Sequence, residues 1–195
     1  MTLPVVTACR TCELGERRDA GTAPRWDNIL RTPTWDVVHA ENTAIEGWIV
    51  LVARRHITCL ADLTPDEADD LGPMIRNVSQ ALANAYRMFE DLPGQFAEHP
   101  FHQHVHVQVV PRGPAFTDDL IGPDVFKALG VEDSQRVPEA RMNALAKRLA
   151  EPLGADYARH TGWSDDSAWP LLSDGSSRSR GRPAPCSLRE PLLRR

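Results

Sequence analysis

The sequence has no run of about 18 consecutive apolar residues, the length that a membrane-spanning helix needs. No membrane span or membrane partner is therefore predicted. Residues 1–8 have neither a basic start nor a long apolar segment, so no secretory signal is expected and a cytoplasmic location is the default. The chain also lacks a positive excess, with 22 lysines and arginines against 27 aspartates and glutamates, a net charge of −5. This balance argues against nucleic acid as a partner, although a small anionic ligand could still bind at a locally positive site.

Cysteine is scarce, with four residues among 195. In a reducing cytoplasm such cysteines are expected to be thiols or metal ligands rather than disulfides. Cys9 and Cys12 form a Cys-x-x-Cys pair, a spacing that lets one zinc ion bind both sulfurs. The pair alone leaves zinc binding, redox chemistry and idle thiols open, but no thioredoxin-like βαβ pattern follows it. Cys59 and Cys186 have no such neighbour and are expected to be structural or idle.

Histidine is unevenly spread, because four of the seven fall within residues 99–106. Residues 104–109 alternate polar and apolar side chains, the period of a half-buried β-strand. His104, His106 and Gln108 then share one face, with about 7 Å between next-but-one neighbours. Such a polar face is usually only solvated, yet two imidazoles and a carboxamide in a row also suit a phosphate or a metal. The other face is apolar and is expected to enter the core: Val105, Val107 and Val109.

Two upstream regions carry strand signals. Residues 28–32 and 35–40 flank a short turn and predict a β-hairpin. The nearly continuous apolar run at residues 48–53 predicts a central strand that is buried on both faces. The polar residues 54–56 mark the end of this strand.

A long helix is predicted from Thr64 to about Phe89. Thr64 is the expected N-cap, Pro65 suits the first helical position, and Glu67 completes a capping box. The Gly-Pro pair at residues 72–73 predicts a kink or a break into two helices.

Weaker signals cover the remaining segments. Residues 92–94 predict a turn, residues 95–98 a short strand, and residues 111–114 the end of the histidine strand. A second helix is expected to begin near residue 137. Its predicted buried face consists of Met142, Leu145, Leu149 and Leu153.

The predicted organisation has four parts. Residues 1–25 form an irregular segment that carries the Cys-x-x-Cys pair, and residues 26–114 form the core domain. Residues 115–161 form a C-terminal helical extension. Residues 162–195 are polar and low in complexity, and they are expected to form a disordered tail.

Three motifs, taken in order, resemble the histidine-triad (HIT) superfamily. They are Arg-Arg-His at residues 54–56, Leu-Ala-Asp-Leu-Thr at residues 60–64, and the pattern His-φ-His-φ-Gln-φ-φ-Pro-Arg at residues 104–112. The resemblance covers roughly residues 5–114. It implies a HIT-like α+β fold with an antiparallel sheet of about five strands, one long helix and a C-terminal helix. It also implies a homodimer, because members of this superfamily usually dimerise.

The register of the histidine pattern has an alternative, because three histidines can also be counted from His102. Starting at His104 places Pro111 and Arg112 at the distance that the family pattern has. It also keeps the buried face apolar, whereas a start at His102 places Gln103 on that face. The register that begins at His104 is therefore preferred.

On this register the resemblance makes His106 the catalytic nucleophile of a nucleotide hydrolase or nucleotidyltransferase. A neutral imidazole can attack the α-phosphorus of a nucleotide and form a covalent nucleotidyl-histidine, which an acceptor then resolves. Gln108 and His104 are the expected phosphate-binding residues. Most of the hydrolases carry histidine where Gln108 stands, and glutamine looks like the branch with galactose-1-phosphate uridylyltransferase and the dinucleoside polyphosphate phosphorylases. The acceptor (water, phosphate or a sugar phosphate) stays open, as does the substrate among nucleotides, dinucleoside polyphosphates and nucleotide sugars.

Some members of the superfamily bind a structural zinc ion through an N-terminal Cys-x-x-Cys, the histidine after the buried strand and the first motif histidine. The corresponding residues here are Cys9, Cys12, His56 and His104. The resemblance therefore implies zinc as a structural cofactor, held by a closed set of four ligands. An alternative is a zinc hydrolase in which His104 and His106 both bind the metal and one coordination position stays open to water.

Two positions depart from the family pattern. The residue expected to bind the ribose hydroxyls is Ala40, so Glu41 or Asn42 is the expected nucleotide-binding substitute. Many members contact the leaving group with a Ser or Thr where this chain has Phe101. These departures motivate an alternative function, a nucleotide-binding HIT-like protein with little or no catalysis. Three neighbours could replace the missing hydroxyl: His99, His102 and Gln103.

Overall fold

The computed structural model describes residues 9–86, 90–95, 102–113 and 116–162, with the backbone alone for residues 90–92. The predicted tail and most of the predicted strand at residues 95–98 lie outside the described residues. In the part of the chain that is described, no helix is both long and apolar enough to cross a membrane.

A five-stranded antiparallel sheet forms the centre of the fold, which confirms the predicted α+β architecture. In chain order the strands are β1 (Leu30–Arg31), β2 (Trp35–His39), β3 (Ile49–Ala53), β4 (Glu90–Gly94) and β5 (His106–Arg112). Their order in the sheet is β1-β2-β3-β5-β4, so β4 is an edge strand and β5 lies beside the central β3. The predicted hairpin forms the pair β1-β2.

Within the described ranges, three α-helices accompany the sheet: α1 (Arg10–Asp19), α2 (Pro65–Tyr86) and α3 (Glu139–Thr161). α2 and α3 pack against each other and share one apolar cluster with the sheet. The buried face predicted for the second long helix is confirmed, because its four members are all buried: Met142, Leu145, Leu149 and Leu153.

The two faces of the sheet differ in what covers them. The helix face is the face toward α2 and α3, and alternate residues of β3 and β5 fill it, including the three predicted valines Val105, Val107 and Val109. The site face is the opposite face, and it carries His106, Gln108 and Trp48. A short 3₁₀ helix (Gly122–Ala128) covers part of the site face with apolar side chains.

Gly47, two residues before β3, has a backbone conformation that favours glycine. Its φ is 87°, in the left-handed region that favours glycine. A Cβ at this position would lie 2.9 Å from a ring carbon of Tyr86 and 3.2 Å from Pro111. The close approach of α2 and β5 at this point therefore requires a glycine, and the chain leaves it directly into Trp48.

The start of α2 follows the predicted capping box. The Thr64 amide donates to Glu67 Oε2 at 2.8 Å, and the Glu67 amide donates to Thr64 Oγ1 at 3.2 Å. The predicted break is wrong, because α2 runs through Pro73 as one helix. A proline removes one intrahelical hydrogen bond, and packing of Leu71 and Met74 against the core on either side keeps the two halves together.

The predicted irregular structure of residues 1–25 is wrong where α1 forms. The sequence of α1 is polar nearly all round, so no apolar period marks it as a helix. A buried ion-pair network holds it instead. Arg18 is 3% exposed, and its guanidinium lies 2.7 Å from Asp27 Oδ1 and 3.4 Å from Asp36 Oδ2.

The predicted turn at residues 92–94 is also wrong, because these residues belong to β4. Pro93 is tolerated there because β4 is an edge strand with a partner on one side. The histidine strand likewise does not stop at Pro111, because β5 continues through Arg112. The pairing between β3 and β5 ends where Ile49 lies opposite Val109. Pro111 lies beyond this pair, so its missing N–H removes no hydrogen bond to β3.

Candidate functional site

Four side chains of metal-binding type lie close together near the start of β5: Cys9, Cys12, His56 and His104. Their ligand atoms all lie within 4.8 Å of one another. Cys12 Sγ lies 3.2 Å from His56 Nδ1 and 3.6 Å from His104 Nδ1, and Cys9 Sγ lies 3.7 Å from His104 Nδ1. Tetrahedral zinc, with bonds of about 2.3 Å to sulfur and 2.0 Å to nitrogen, separates its ligand atoms by about 3.3–3.8 Å. The four predicted ligands therefore have the donor set and the spacing that suit a closed zinc site.

The four ligands come from three separate parts of the fold. Cys9 immediately precedes α1 and Cys12 lies in its first turn, so the helical spacing of three residues turns both sulfurs to one side. His56 follows β3, and His104 precedes β5 by two residues. Because Arg18 anchors the far end of α1, the helix is held at both ends.

The ring of His104 is buried and uses both of its nitrogens. Its Nε2–H donates to the carbonyl oxygen of Ala53 at 2.6 Å, which leaves the Nδ1 lone pair facing the two sulfurs. Burial lowers the pKa of His104 to about 4, so the ring is neutral as a metal ligand must be. No ring nitrogen is left to face a phosphate, so the geometry favours His104 as a metal ligand rather than as the predicted phosphate-binding residue.

Cys12 lies in surroundings that disfavour a free thiolate. Burial, the neighbouring Cys9 thiol and the carboxylates of Glu16 and Glu13 raise the pKa of Cys12 to about 12. A divalent cation reverses this balance, because coordination deprotonates a thiol outright. The negative charges around the pair therefore suit a cation.

His106 lies on the site face of β5, opposite Val52 of β3. Its Nδ1–H donates to the carbonyl oxygen of His104 at 2.7 Å. This hydrogen bond leaves Nε2 as the nitrogen with a free lone pair. Burial lowers the pKa of His106, so the ring is neutral near pH 7 and able to act as a nucleophile. The ring is mostly buried but keeps some exposed surface, through which a ligand can reach it.

His106 does not belong to the metal-binding group, which is complete with four ligands from the described residues. A catalytic zinc would keep a coordination position open. The arrangement thus disfavours the alternative in which His104 and His106 share a metal.

Gln108 has a partner that the sequence reasoning missed. The indole Nε1–H of Trp48 donates to Gln108 Oε1 at 2.6 Å, and both side chains are buried on the site face. The only sequence signal was position, because Trp48 begins the apolar run at residues 48–53 that predicts a buried central strand. That run placed Trp48 in the core without showing its polar contact.

The predicted nucleotide-binding residues lie at the far end of the sheet. Glu41 is exposed, and Asn42 has a φ of 55°, with its carbonyl oxygen accepting from the Gly130 amide at 2.9 Å. They follow β2, whose last residue His39 is aligned through β3 with Val109 of β5. His106 lies three residues away along β5, about 10 Å. Contact between a nucleotide and Glu41 or Asn42 stays a prediction.

Other candidates named from the sequence have different positions. His102 Nδ1 lies 3.1 Å from Thr11 Oγ1 in α1, so this histidine contacts the helix of the Cys-x-x-Cys pair. Gln103 is exposed. His99 and Phe101 lie outside the described residues.

A groove of about 790 Å³ also lies between α2 and α3. Arg76, Asn77 and Arg159 contribute to its polar lining. It is on the helix side of the sheet and includes none of the predicted site residues, so His106 and its neighbours remain the candidate site.

No family model and no curated protein sequence matches this chain. Solved structures do match. A histidine triad protein from Bradyrhizobium japonicum has a TM-score of 0.54 and is 18% identical, and the match covers 65% of this chain and 89% of that one. A hypothetical histidine triad nucleotide-binding protein from Sulfolobus tokodaii has a TM-score of 0.55 at 12% identity, over 78% of this chain and 100% of that one. A zinc-bound histidine triad family protein from Mycobacterium smegmatis has a TM-score of 0.51 at 17% identity, over 73% of this chain and 94% of that one.

These likenesses show that the chain has the histidine-triad fold, as its motifs predicted. At identities of 12–18% they concern the fold alone. The function has to be argued from the side chains that this chain places on it.

Proposed function

We propose that this protein is a nucleotide hydrolase or nucleotidyltransferase that acts at the α-phosphate through a covalent intermediate on His106. The observation that carries the proposal is the hydrogen bond from His106 Nδ1–H to the His104 carbonyl oxygen, 2.7 Å long. It fixes the tautomer and leaves a neutral Nε2 lone pair on the same strand face as Gln108.

The reaction proceeds in two displacements. Nε2 of His106 attacks the α-phosphorus, so a P–N bond forms, and the bond to the leaving group breaks with its electron pair going to the leaving group. An acceptor oxygen then attacks the same phosphorus, the P–N bond breaks, and its electrons return to Nε2. The acceptor is water in a hydrolase, and phosphate or a sugar phosphate in a transferase. The carboxamide of Gln108 stabilises the charge that builds on the phosphate oxygens.

We further propose that Cys9, Cys12, His56 and His104 hold a structural zinc ion. Bound there, the ion would tie the start of α1 to the residues that follow β3 and precede β5. It takes no part in the displacements, because the four protein ligands close its coordination shell. The zinc-bound histidine triad protein from Mycobacterium smegmatis, which shares the fold, supports this assignment.

The proposed ligand class is nucleotides, which include dinucleoside polyphosphates and nucleotide sugars. The Sulfolobus tokodaii protein of the same fold is described as nucleotide-binding, and this supports the class. A homodimer is part of the proposal because β4 lies at an edge of the sheet, where no strand of the described residues pairs with its outer side.

A second candidate is a nucleotide-binding protein with little or no catalysis. It is favoured by Ala40, which is buried at the position where the family pattern has a ribose-binding side chain. A poorly held ribose would leave the α-phosphorus badly placed for His106.

Rapid quenching with α-labelled nucleotides separates the two candidates. We expect acid-labile, alkali-stable label on the protein from at least one nucleoside polyphosphate or nucleotide sugar, as a phosphoramidate requires. His106→Ala should abolish both the label and turnover. His102→Ala is the matched control, because His102 is a nearby histidine that contacts α1 and is the nucleophile in neither register.

Turnover by His106→Ala at the parental rate would rule out the covalent mechanism. Label that maps to His104 rather than to His106 would instead favour the other register, in which His104 is the second motif histidine. Tight binding of a nucleoside monophosphate without turnover of any polyphosphate would favour the second candidate.

A further inference from the structure

We infer that Trp48 is a positioning residue that turns the amide N–H₂ of Gln108, rather than its carbonyl oxygen, toward the ligand, so that this position recognises an anionic phosphate oxygen. The inference rests on the proposed function, because the ligand it concerns is the phosphate of the nucleotide. It adds to that function a residue that determines what Gln108 can and cannot bind.

The direction of the contact follows from the chemistry of indole. An indole N–H donates a hydrogen bond and has no acceptor. The atom of Gln108 that lies 2.6 Å from Trp48 Nε1 must therefore be the carbonyl oxygen Oε1. The amide group Nε2–H₂ then points away from Trp48, so the side chain presents its donors to a ligand while Oε1 is engaged by the indole.

Packing keeps this orientation fixed. Trp48 is fully buried, and its ring meets the ring of Phe126 edge-on, with centroids 5.6 Å apart and an interplanar angle of 62°. A flipped carboxamide would bring two donors together in a buried site and leave both without an acceptor. Such a rotamer should be populated at least about tenfold less than the observed one.

The strand neighbours of Gln108 differ in size. Val50 lies directly opposite on β3, and Gly94 lies directly opposite on β4. Gly94 has no side chain, so this residue of β4 places nothing beyond its backbone next to Gln108. His106 is two residues away on the same face, about 7 Å along the strand. The amide and the imidazole can thus approach one phosphate together.

A fixed donor has a different chemistry from the histidine that most of the related hydrolases carry there. A carboxamide neither takes up nor releases a proton near neutral pH, whereas an imidazole does both. Gln108 is therefore expected to stabilise charge without transferring a proton. The position should favour phosphate oxygens that carry charge over groups that present a hydrogen of their own.

A double-mutant cycle tests the inference. The wild-type protein is titrated with AMP, GMP, CMP and UMP by calorimetry, and the tightest binder is used throughout. Trp48→Phe and Gln108→Leu should each weaken binding about tenfold. The double variant should bind no more weakly than Gln108→Leu alone, because Trp48 acts through Gln108.

Trp35→Phe is the matched control. Trp35 is equally buried, but its indole donates to the Glu67 carbonyl oxygen at 2.9 Å on the helix face. Its loss should lower stability and leave nucleotide affinity unchanged. Unchanged affinity in Trp48→Phe, or an independent further loss in the double variant, would overturn the inference while leaving the proposed function intact.

A measurement without ligand completes the test. In an ¹⁵N-labelled protein the Trp48 indole resonance is identified by its absence from Trp48→Phe. It should shift when Gln108 is changed to Leu, whereas the Trp35 indole resonance should not. An unmoved Trp48 resonance would show that the bond is absent in solution and would overturn the inference. If wild-type protein binds none of the four nucleotides and takes up no label from any nucleoside polyphosphate or nucleotide sugar, the proposed function fails and the phosphate role of Gln108 fails with it.

Discussion

The two faces of the sheet use the same residue types in different ways, and histidine shows this best. On the helix face, His39 is buried with both ring nitrogens bonded to backbone: Nδ1–H donates to the Ala40 carbonyl oxygen and Nε2 accepts from the Gly47 amide. On the site face, His106 Nδ1–H is bonded, and Nε2 has no hydrogen-bond partner among the described residues. A histidine can act as a nucleophile only when the lone pair of one ring nitrogen is not used in a hydrogen bond. Counting buried histidines would not separate them.

The same contrast holds for tryptophan. Trp35 on the helix face donates to a backbone carbonyl oxygen, which satisfies the indole and fixes α2. Trp48 on the site face donates to a side chain that is itself a candidate ligand group. The partner, rather than burial, distinguishes a structural tryptophan from a functional one.

The largest expected effect comes from the metal-binding group, which joins α1 to the sheet. Cys12→Ser should abolish stoichiometric zinc binding and lower the free energy of unfolding by at least about 3 kcal/mol, because ligand binding energy contributes directly to folding. Metal analysis and urea unfolding measure both. Cys59→Ser is the control, since Cys59 lies outside the group. A parental protein that binds no zinc after reconstitution would contradict the assignment.

The next largest effect is expected from Val107 and His106, which are adjacent in β5 and lie on opposite faces of the sheet. Val107→Ala should lower the free energy of unfolding by about 2 kcal/mol, because it leaves a cavity on the helix face. It should leave covalent labelling intact. His106→Ala should do the reverse, with little change in stability and no label. If both substitutions changed stability and labelling alike in urea unfolding and in the quench assay, the separation of a structural face from a functional face would be refuted.

The third effect is a pH dependence from the helix face. Burial lowers the pKa of His39 below its usual 6.5, so the folded state binds fewer protons than the unfolded state. Stability from this group is therefore complete above pH 6.5 and is lost as the pH falls below it, by up to about 1.4 kcal/mol per pH unit. Glu46 is the nearby charge that opposes the shift.

His39→Gln isolates this term, because glutamine can donate and accept as the neutral ring does. Between pH 7.5 and 5.5 the parent should lose about 1 kcal/mol more than the variant in urea unfolding. Equal losses would show that His39 does not titrate with folding.

The smallest effect on stability is expected on the outer surface of the 3₁₀ helix Gly122–Ala128, which covers part of the site face. Lys127 and Asp124 form an exposed pair 3.1 Å apart. Lys127→Ala should change the free energy of unfolding by less than about 0.5 kcal/mol, because such pairs are screened by solvent. A loss above 1 kcal/mol in urea unfolding would show that the cover depends on this pair.

Much of the fold could be predicted from the sequence, because its elements have strong local signals. The capping box at Thr64 and the alternation after His104 each fix an element and its buried side. α1 could not be predicted in this way, since an internal ion-pair network around Arg18 replaces the apolar face that marks a helix. β4 was missed because a proline and a glycine usually indicate a turn, and only an edge position allows them in a strand.

The candidate site divides in the same way. The side of β5 that carries His106 followed from alternation. Spacing marked only Cys9 and Cys12 of the metal-binding group, and the resemblance to the histidine-triad superfamily implied His56 and His104. The contact between Trp48 and Gln108 did not, because it joins residues 60 apart in sequence. Such a pairing depends on strand register, which one sequence does not specify.

The sequence separation of the metal-binding residues has a consequence for folding kinetics. Cys12 and His56 are 44 residues apart, and Cys9 and His104 are 95 apart. Closing loops of this length costs entropy that no local contact offsets, so the group can assemble only after β3 and β5 have paired. Interactions that form after the rate-limiting step slow unfolding and leave the folding rate nearly unchanged. Metal at this site would therefore act as a late cross-link that lengthens the lifetime of the native state.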